Sequence, residues 1–126
     1  MKRVFCSLTW VILLMPVAAV AELALSKRQL QELFTGNTVY YRDVPHSLNI
    51  VAYFDPSGEV RGVRGGKPYR QLWSVDDKAR HCIRDEGESA VCRKVFRQAD
   101  GTYVKYRKGG PLIHYKGFEE GNPNNL

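Results

Sequence analysis

Cys82 and Cys92 stand on either side of Asp85-Glu86-Gly87-Glu88-Ser89, and no other feature narrows the fold of this chain so far. If the two thiols face each other on adjacent antiparallel arms, Arg84 faces Ala90 and the loop holds five residues centred on Gly87, an acceptable hairpin length. On the opposite side of the ribbon Ile83 then stands across from Val91, an apolar cross-strand pair. The stretch 71–75 carries Trp73, the one tryptophan beyond the N-terminal leader, and reads as the neighbouring strand.

Whether the thiols pair depends on the compartment. The chain opens Met1-Lys2-Arg3, runs apolar over 4–20 and reaches Ala19-Val20-Ala21 after Pro16. A positive n-region, an apolar h-region and an Ala-x-Ala site spell a secretory signal peptide over 1–21, cut after Ala21. A retained membrane anchor competes, because the run approaches the roughly 18 residues that a spanning helix needs. Pro16 followed by small residues favours cleavage, and Cys6 leaves with the leader.

The 126 residues less those 21 leave 105 (22–126), a single β domain able to bury a modest core. With Lys2 and Arg3 gone, 19 basic residues become 17 against 13 acids, so the net charge falls from +6 to +4. The expected address is periplasmic or secreted, with no transmembrane segment after cleavage. In an oxidising compartment the pair Cys82 and Cys92 is expected as a disulfide, worth roughly 2–3 kcal/mol for so short a loop. A structural zinc site would space its cysteines two to four apart, a spacing absent here.

The rest of the chain reads as one helix followed by strands. Ser26 and Gln29 form a capping box, Leu25 and Leu30 a hydrophobic staple, and Leu30, Leu33 and Phe34 one apolar stripe ended by Gly36. Strands are expected over 38–42, 48–54, 59–64, 69–75, 80–84, 90–98 and 102–107, with 111–116 a candidate last one and 117–126 a surface tail. Turn residues separate them at 55–58, 65–68, 76–78 and 99–101. This rhythm predicts an all-β fold, an antiparallel meander of about seven strands closing fully or partly into a small barrel or cupped sheet, with the helix against one end. The expected core is Leu30, Leu33, Phe34, Val39, Tyr41, Ile50, Ala52, Phe54, Val60, Trp73, Ile83, Val91 and Val95.

Catalytic constellations are hard to find. His46, His81 and His114 each stand alone, as expected of strand or loop surface residues. A phosphate loop at 62–67 fails, because Arg61 occupies its first glycine position and Pro68 its Ser/Thr position. No Gly-x-Ser-x-Gly elbow or calcium-loop spacing occurs, and the carboxylates at 76–77, 85–88 and 119–120 sit on expected turns or tail. No catalytic, cofactor or metal residue is assigned, and the chain reads as a non-enzyme. What remains is basic and aromatic interleaving: Arg93, Lys94, Arg97, Tyr103, Lys105, Tyr106 and Arg107 form a candidate face for an anionic partner. The competing reading is an ordinary soluble sheet exterior.

Several motifs together resemble a family of small exported bacterial proteins whose function is uncharacterised. They are Leu33-Phe34-Thr35-Gly36-Asn37-Thr38, Tyr53-Phe54 with Asp55 and Gly58, Trp73-Ser74-Val75, Cys82 with Cys92, Asp100-Gly101 and the closing Gly121-Asn122-Pro123 with Leu126. Gln71 departs from the pattern, which places glycine two residues before the tryptophan. The resemblance implies a small β-rich fold like a reduced lipocalin and a periplasmic address; it implies no reaction or cofactor. The resulting expectation is a monomeric binding or accessory protein engaging an envelope component or a protein, with no nucleic acid as partner. The alternatives are a carrier of a small apolar ligand in a barrel cavity, and an envelope hydrolase in which His81 or His114 meets an acid.

Overall fold

The computed structural model describes Ile12, Leu14 and residues 22–126; the rest of the expected leader lies outside the described residues. One curled antiparallel sheet of ten strands makes a half-barrel. In chain order the elements are β1 (Leu23–Ala24), α1 (Lys27–Phe34), β2 (Asn37–Asp43), β3 (Leu48–Phe54), β4 (Glu59–Arg64), β5 (Lys67–Val75), β6 (His81–Arg84), β7 (Val91–Arg93), β8 (Phe96–Arg97), β9 (Tyr103–Arg107) and β10 (Gly110–Glu120). The sheet order is β1-β8-β9-β10-β2-β3-β4-β5-β6-β7. The chain meanders from β2 to β7, crosses to the far edge, and returns so that β10 pairs with β2.

The all-β expectation holds with ten strands in place of about seven. The stretch 90–98 is two strands because Val95, fully buried, turns into the core and gives its carbonyl to the Leu25 N–H at 2.9 Å. That bond also aligns the two-residue strand β1 beside β8. The expected tail begins four residues late: 117–120 continue β10, where a register shift between Tyr115 and Gly117 re-aims the strand and turns Phe118 onto Phe34 and Tyr103.

The helix forms for local reasons and stays for tertiary ones. Ser26 Oγ accepts from the Gln29 N–H at 3.1 Å, and Gln29 Oε1 accepts from the Ser26 N–H at 2.8 Å, so two orphan donors are satisfied. Eight residues cannot hold a helix alone. Leu30 and Phe34, both fully buried, dock it on the sheet, and Phe34 meets Phe54, Tyr115 and Phe118 edge to face.

The disulfide is present between Cys82 and Cys92, which oppose each other directly, with Ile83 across from Val91. Val91 is nevertheless 57% exposed, against the expectation of a core position. β7 is an edge strand of three residues, with no further strand paired beyond it among the described residues. Ile50, Ala52, Phe54 and Val60 are buried as expected, while Leu33, Tyr41, Trp73 and Ile83 are half-buried against the core.

Candidate functional site

Strand alternation decides what enters the half-barrel. Ile83 faces the core, so His81, two residues before it on β6, faces the same way. The register places Arg93 of β7 directly opposite His81. On β9, Tyr103 packs on Phe118 inside the curl, and Lys105 follows it there. These three basic residues meet at the seam between β7 and β9, which are not hydrogen-bonded neighbours in the sheet. Arg93 crosses that seam, its guanidinium donating to the Tyr106 carbonyl oxygen at 3.1 Å.

The cluster is closely held. Lys105 Nζ lies 2.6 Å from His81 Nδ1 and 5.9 Å from the centroid of the Tyr115 ring. The imidazole stacks on Phe34 with centroids 3.9 Å apart and has Phe54 and Trp73 nearby. His81 is fully buried and Lys105 is 4% exposed. Burial, and then the Lys105 charge, push the His81 pKa well below its ordinary 6.5, so the ring is neutral at neutral pH. When Lys105 is an ammonium it has only hydrogens to give, so it bonds the bare Nδ1 and the ring proton then rests on Nε2. That nitrogen, like Arg93 Nε, is buried with no partner among the described residues. Burial first, and the Arg93 charge second, bring Lys105 down from 10.5 to about 7.

A cavity of about 480 Å³ opens from this cluster toward the β6–β7 tip, reaching the exposed Asp85, Glu88 and Ser89. Its wall mixes Ile83, Ile113 and Phe54 with three tyrosines. Tyr41 of β2 and Tyr69 of β5 meet across the curl, hydroxyl to hydroxyl at 2.7 Å, spanning β3 and β4. They can do so because the floor beneath them is made of small residues. Ala52 pairs with Gly62, and Gly62 pairs with Tyr69, whose ring lies over it. A Cβ on Gly62 would stand 2.6 Å from both that ring and the Val51 carbonyl oxygen. Burial raises the pKa of Tyr41, Tyr69 and Tyr115, so all three remain neutral hydroxyls. At the rim, Arg64 binds Asp43 at 2.7 Å, and His46 Nδ1 lies 3.0 Å from the same carboxylate.

The candidate anionic-partner face does not survive as one surface. Lys105 is inside, Tyr103 is half-buried against Phe118, and the Arg93 guanidinium is turned to the seam. Tyr106 points to the other side, where its hydroxyl donates to the Glu22 carboxylate at 2.6 Å and its ring meets Phe96. Only Lys94, Arg97 and Arg107 of the seven are exposed. The physical reason is period two: neighbours on a strand cannot share a side. The expectation of surface histidines fails for His81. His114, half-buried, has its Nε2 3.1 Å from the Thr102 hydroxyl, whereas His81 contacts Lys105 and Phe34.

Two other clusters resolve into local structure. Asp76, Cys82 and Cys92 lie together, but the sulfurs are bonded to each other and Arg80 holds the carboxylate at 2.7 Å. Asp100 accepts from both the N–H and the hydroxyl of Thr102, a turn brace whose threonine hydroxyl also lies 3.1 Å from His114 Nε2. Among the described residues no helix is long and apolar enough to cross a membrane. Comparison of the chain with family models, with curated proteins and with solved structures gives no match.

Proposed function

We propose that this is an exported binding protein without catalytic activity, whose half-barrel takes up part of a small amphipathic ligand at its mouth. The observation that carries this reading is the open interior. A small barrel ordinarily fills its centre with side chains, yet here a cleft of about 480 Å³, open at the rim, reaches in to the buried Phe54, Val60 and Tyr115, and it is within the range of ligand sites. The lining supports a mixed ligand: aliphatic and aromatic wall, with a few polar groups gathered at the closed end. The disulfide supports the exported address, since such bonds persist in oxidising compartments. An envelope component or a protein segment remains the natural source of the ligand.

The test uses protein recovered from the periplasm of a bacterial host expressing the full chain. Titration with N-phenyl-1-naphthylamine, a neutral apolar dye, is followed by dye emission and by Trp73, which lies 5.5 Å from Phe54 in the cavity wall. Saturable one-to-one binding with a change in Trp73 emission is expected. Emission that rises linearly with dye and leaves Trp73 unchanged ends the reading.

A further inference from the structure

Among the described residues the most deeply buried basic side chain, Lys105, lacks the counter-charge that several exposed ones have. A charge held at low dielectric needs a counter-charge most, and an exposed one needs it least. Yet Arg64 at the rim holds Asp43 at 2.7 Å, Arg70 at the surface holds Glu59 at 3.1 Å, and Arg80 on its turn holds Asp76 at 2.7 Å. Lys105 and Arg93, at the closed end of the cavity, have no carboxylate within salt-bridge distance among the described residues. Beside them sit two buried, unpartnered nitrogens, His81 Nε2 and Arg93 Nε. Buried polar groups without partners are rare in folded proteins and mark places where something else completes the bonding.

We propose that the cavity receives an amphipathic organic acid, its carboxylate seated against the Lys105 ammonium and the Arg93 guanidinium and its apolar body lying along Ile83 and Ile113. This rests on the cavity being a ligand site, as proposed above. The two cations come from β9 and β7, strands with no ladder between them, so an anion entering the seam breaks no sheet hydrogen bond. A carboxylate offers about four lone-pair positions, enough to meet both an ammonium and a guanidinium. The apolar wall excludes a fully hydrated inorganic ion as the better occupant, because such an ion leaves that wall wet.

The discriminating experiment is calorimetric titration of the exported protein with decanoate, decanol and decylammonium, repeated on Lys105→Met and Lys105→Arg. Decanoate is expected to bind at least tenfold tighter than decanol, and decylammonium more weakly than either. Lys105→Met should bring decanoate to the level of decanol and leave decanol unchanged, while Lys105→Arg keeps the preference. Decanol binding as tightly as decanoate to the native protein overturns the acid assignment and leaves the ligand site standing. Decanoate binding that ignores Lys105→Met overturns it as well. If none of the three ligands binds, the site itself is refuted and the acid assignment with it.

Discussion

Replacing Lys105 by methionine should change the pH dependence of stability in a way that no other single substitution here does. In the folded protein the lysine titrates at about 7; in the unfolded chain it returns to 10.5. The folded state therefore releases this proton more readily, and between those values the unfolded chain holds more protons. Stability then rises with pH. The cost of burying the charged amine is fully present below pH 7, about 5 kcal/mol at 1.36 kcal/mol per tenfold, and is gone above 10.5. Between pH 6.5 and 9.5 the native protein should gain about 3 kcal/mol relative to Lys105→Met. Other groups that titrate in that window are common to both proteins and cancel in the difference, apart from those the amine itself shifts, His81 first among them. Those facing the amine are His81 from β6, Arg93 from β7 and Tyr115 from β10. Urea unfolding of both proteins at several pH values, followed by Trp73 emission, measures it. The constant offset between the curves carries the packing change and is not the test. Parallel curves across the window would mean that water reaches the amine freely, and the case for a buried, uncompensated cation would be lost.

The disulfide closes a loop with a sequence separation of 10, so a Cys82→Ser, Cys92→Ser double variant should lose about 2.7 kcal/mol of unfolding free energy by loop entropy, and Cys92→Ala should lower exported yield. An unchanged urea midpoint would contradict this. Gly62→Ala drives a methyl into the Tyr69 ring and the Val51 carbonyl oxygen and should cost about 2 kcal/mol, whereas Gly117→Ala, whose nearest neighbour is Tyr40 at 3.9 Å, should cost less than about 0.5. Equal melting temperatures for the two variants would show that the Tyr69 ring simply moves aside. Ser26→Ala removes one half of the capping box and should cost about 1 kcal/mol, read as a fall of about 4–8 °C in melting temperature.

Much of this architecture was legible, because each piece rests on a short-range rule. The capping box, the turn at 55–58 and the cysteine register all depend on residues a few positions apart. The inward turn of His81 was missed, although the alternation that puts Ile83 in the core puts His81 there too. The cysteine register then sets Arg93 opposite it. What hid the site was β9: Val104 and Lys105 are both buried, on opposite sides, so alternation alone cannot say which side is the interior. The contact between Lys105 and His81 crosses the seam between strands that share no ladder, and no local pattern encodes it. The split at Val95 and the continuation through Gly117 were missed for a similar reason. Each depends on a partner far away in sequence: Leu25 for one, and the pairing with Tyr40 for the other.

The seam explains why a half-barrel suits this interior better than a closed one. A ladder between β7 and β9 would bind the Tyr106 carbonyl through backbone, and the Arg93 side chain would be released to water. As built, the guanidinium stands in for one such bond and keeps its charge beside Lys105. One residue thus closes the wall and sets the field behind it. Folding gains nothing from that field: a methionine at 105 would fill similar space without the burial penalty, and replacing buried charges by apolar groups is often stabilising. Domains of this size hold about 5–15 kcal/mol in total, so a lysine costing several of them, partly offset by a disulfide on the adjoining strands, is hard to account for by stability. The negatively charged occupant proposed above would account for it. Such a ligand would raise the amine's pKa again, turning the penalty of the empty protein into affinity for the loaded one.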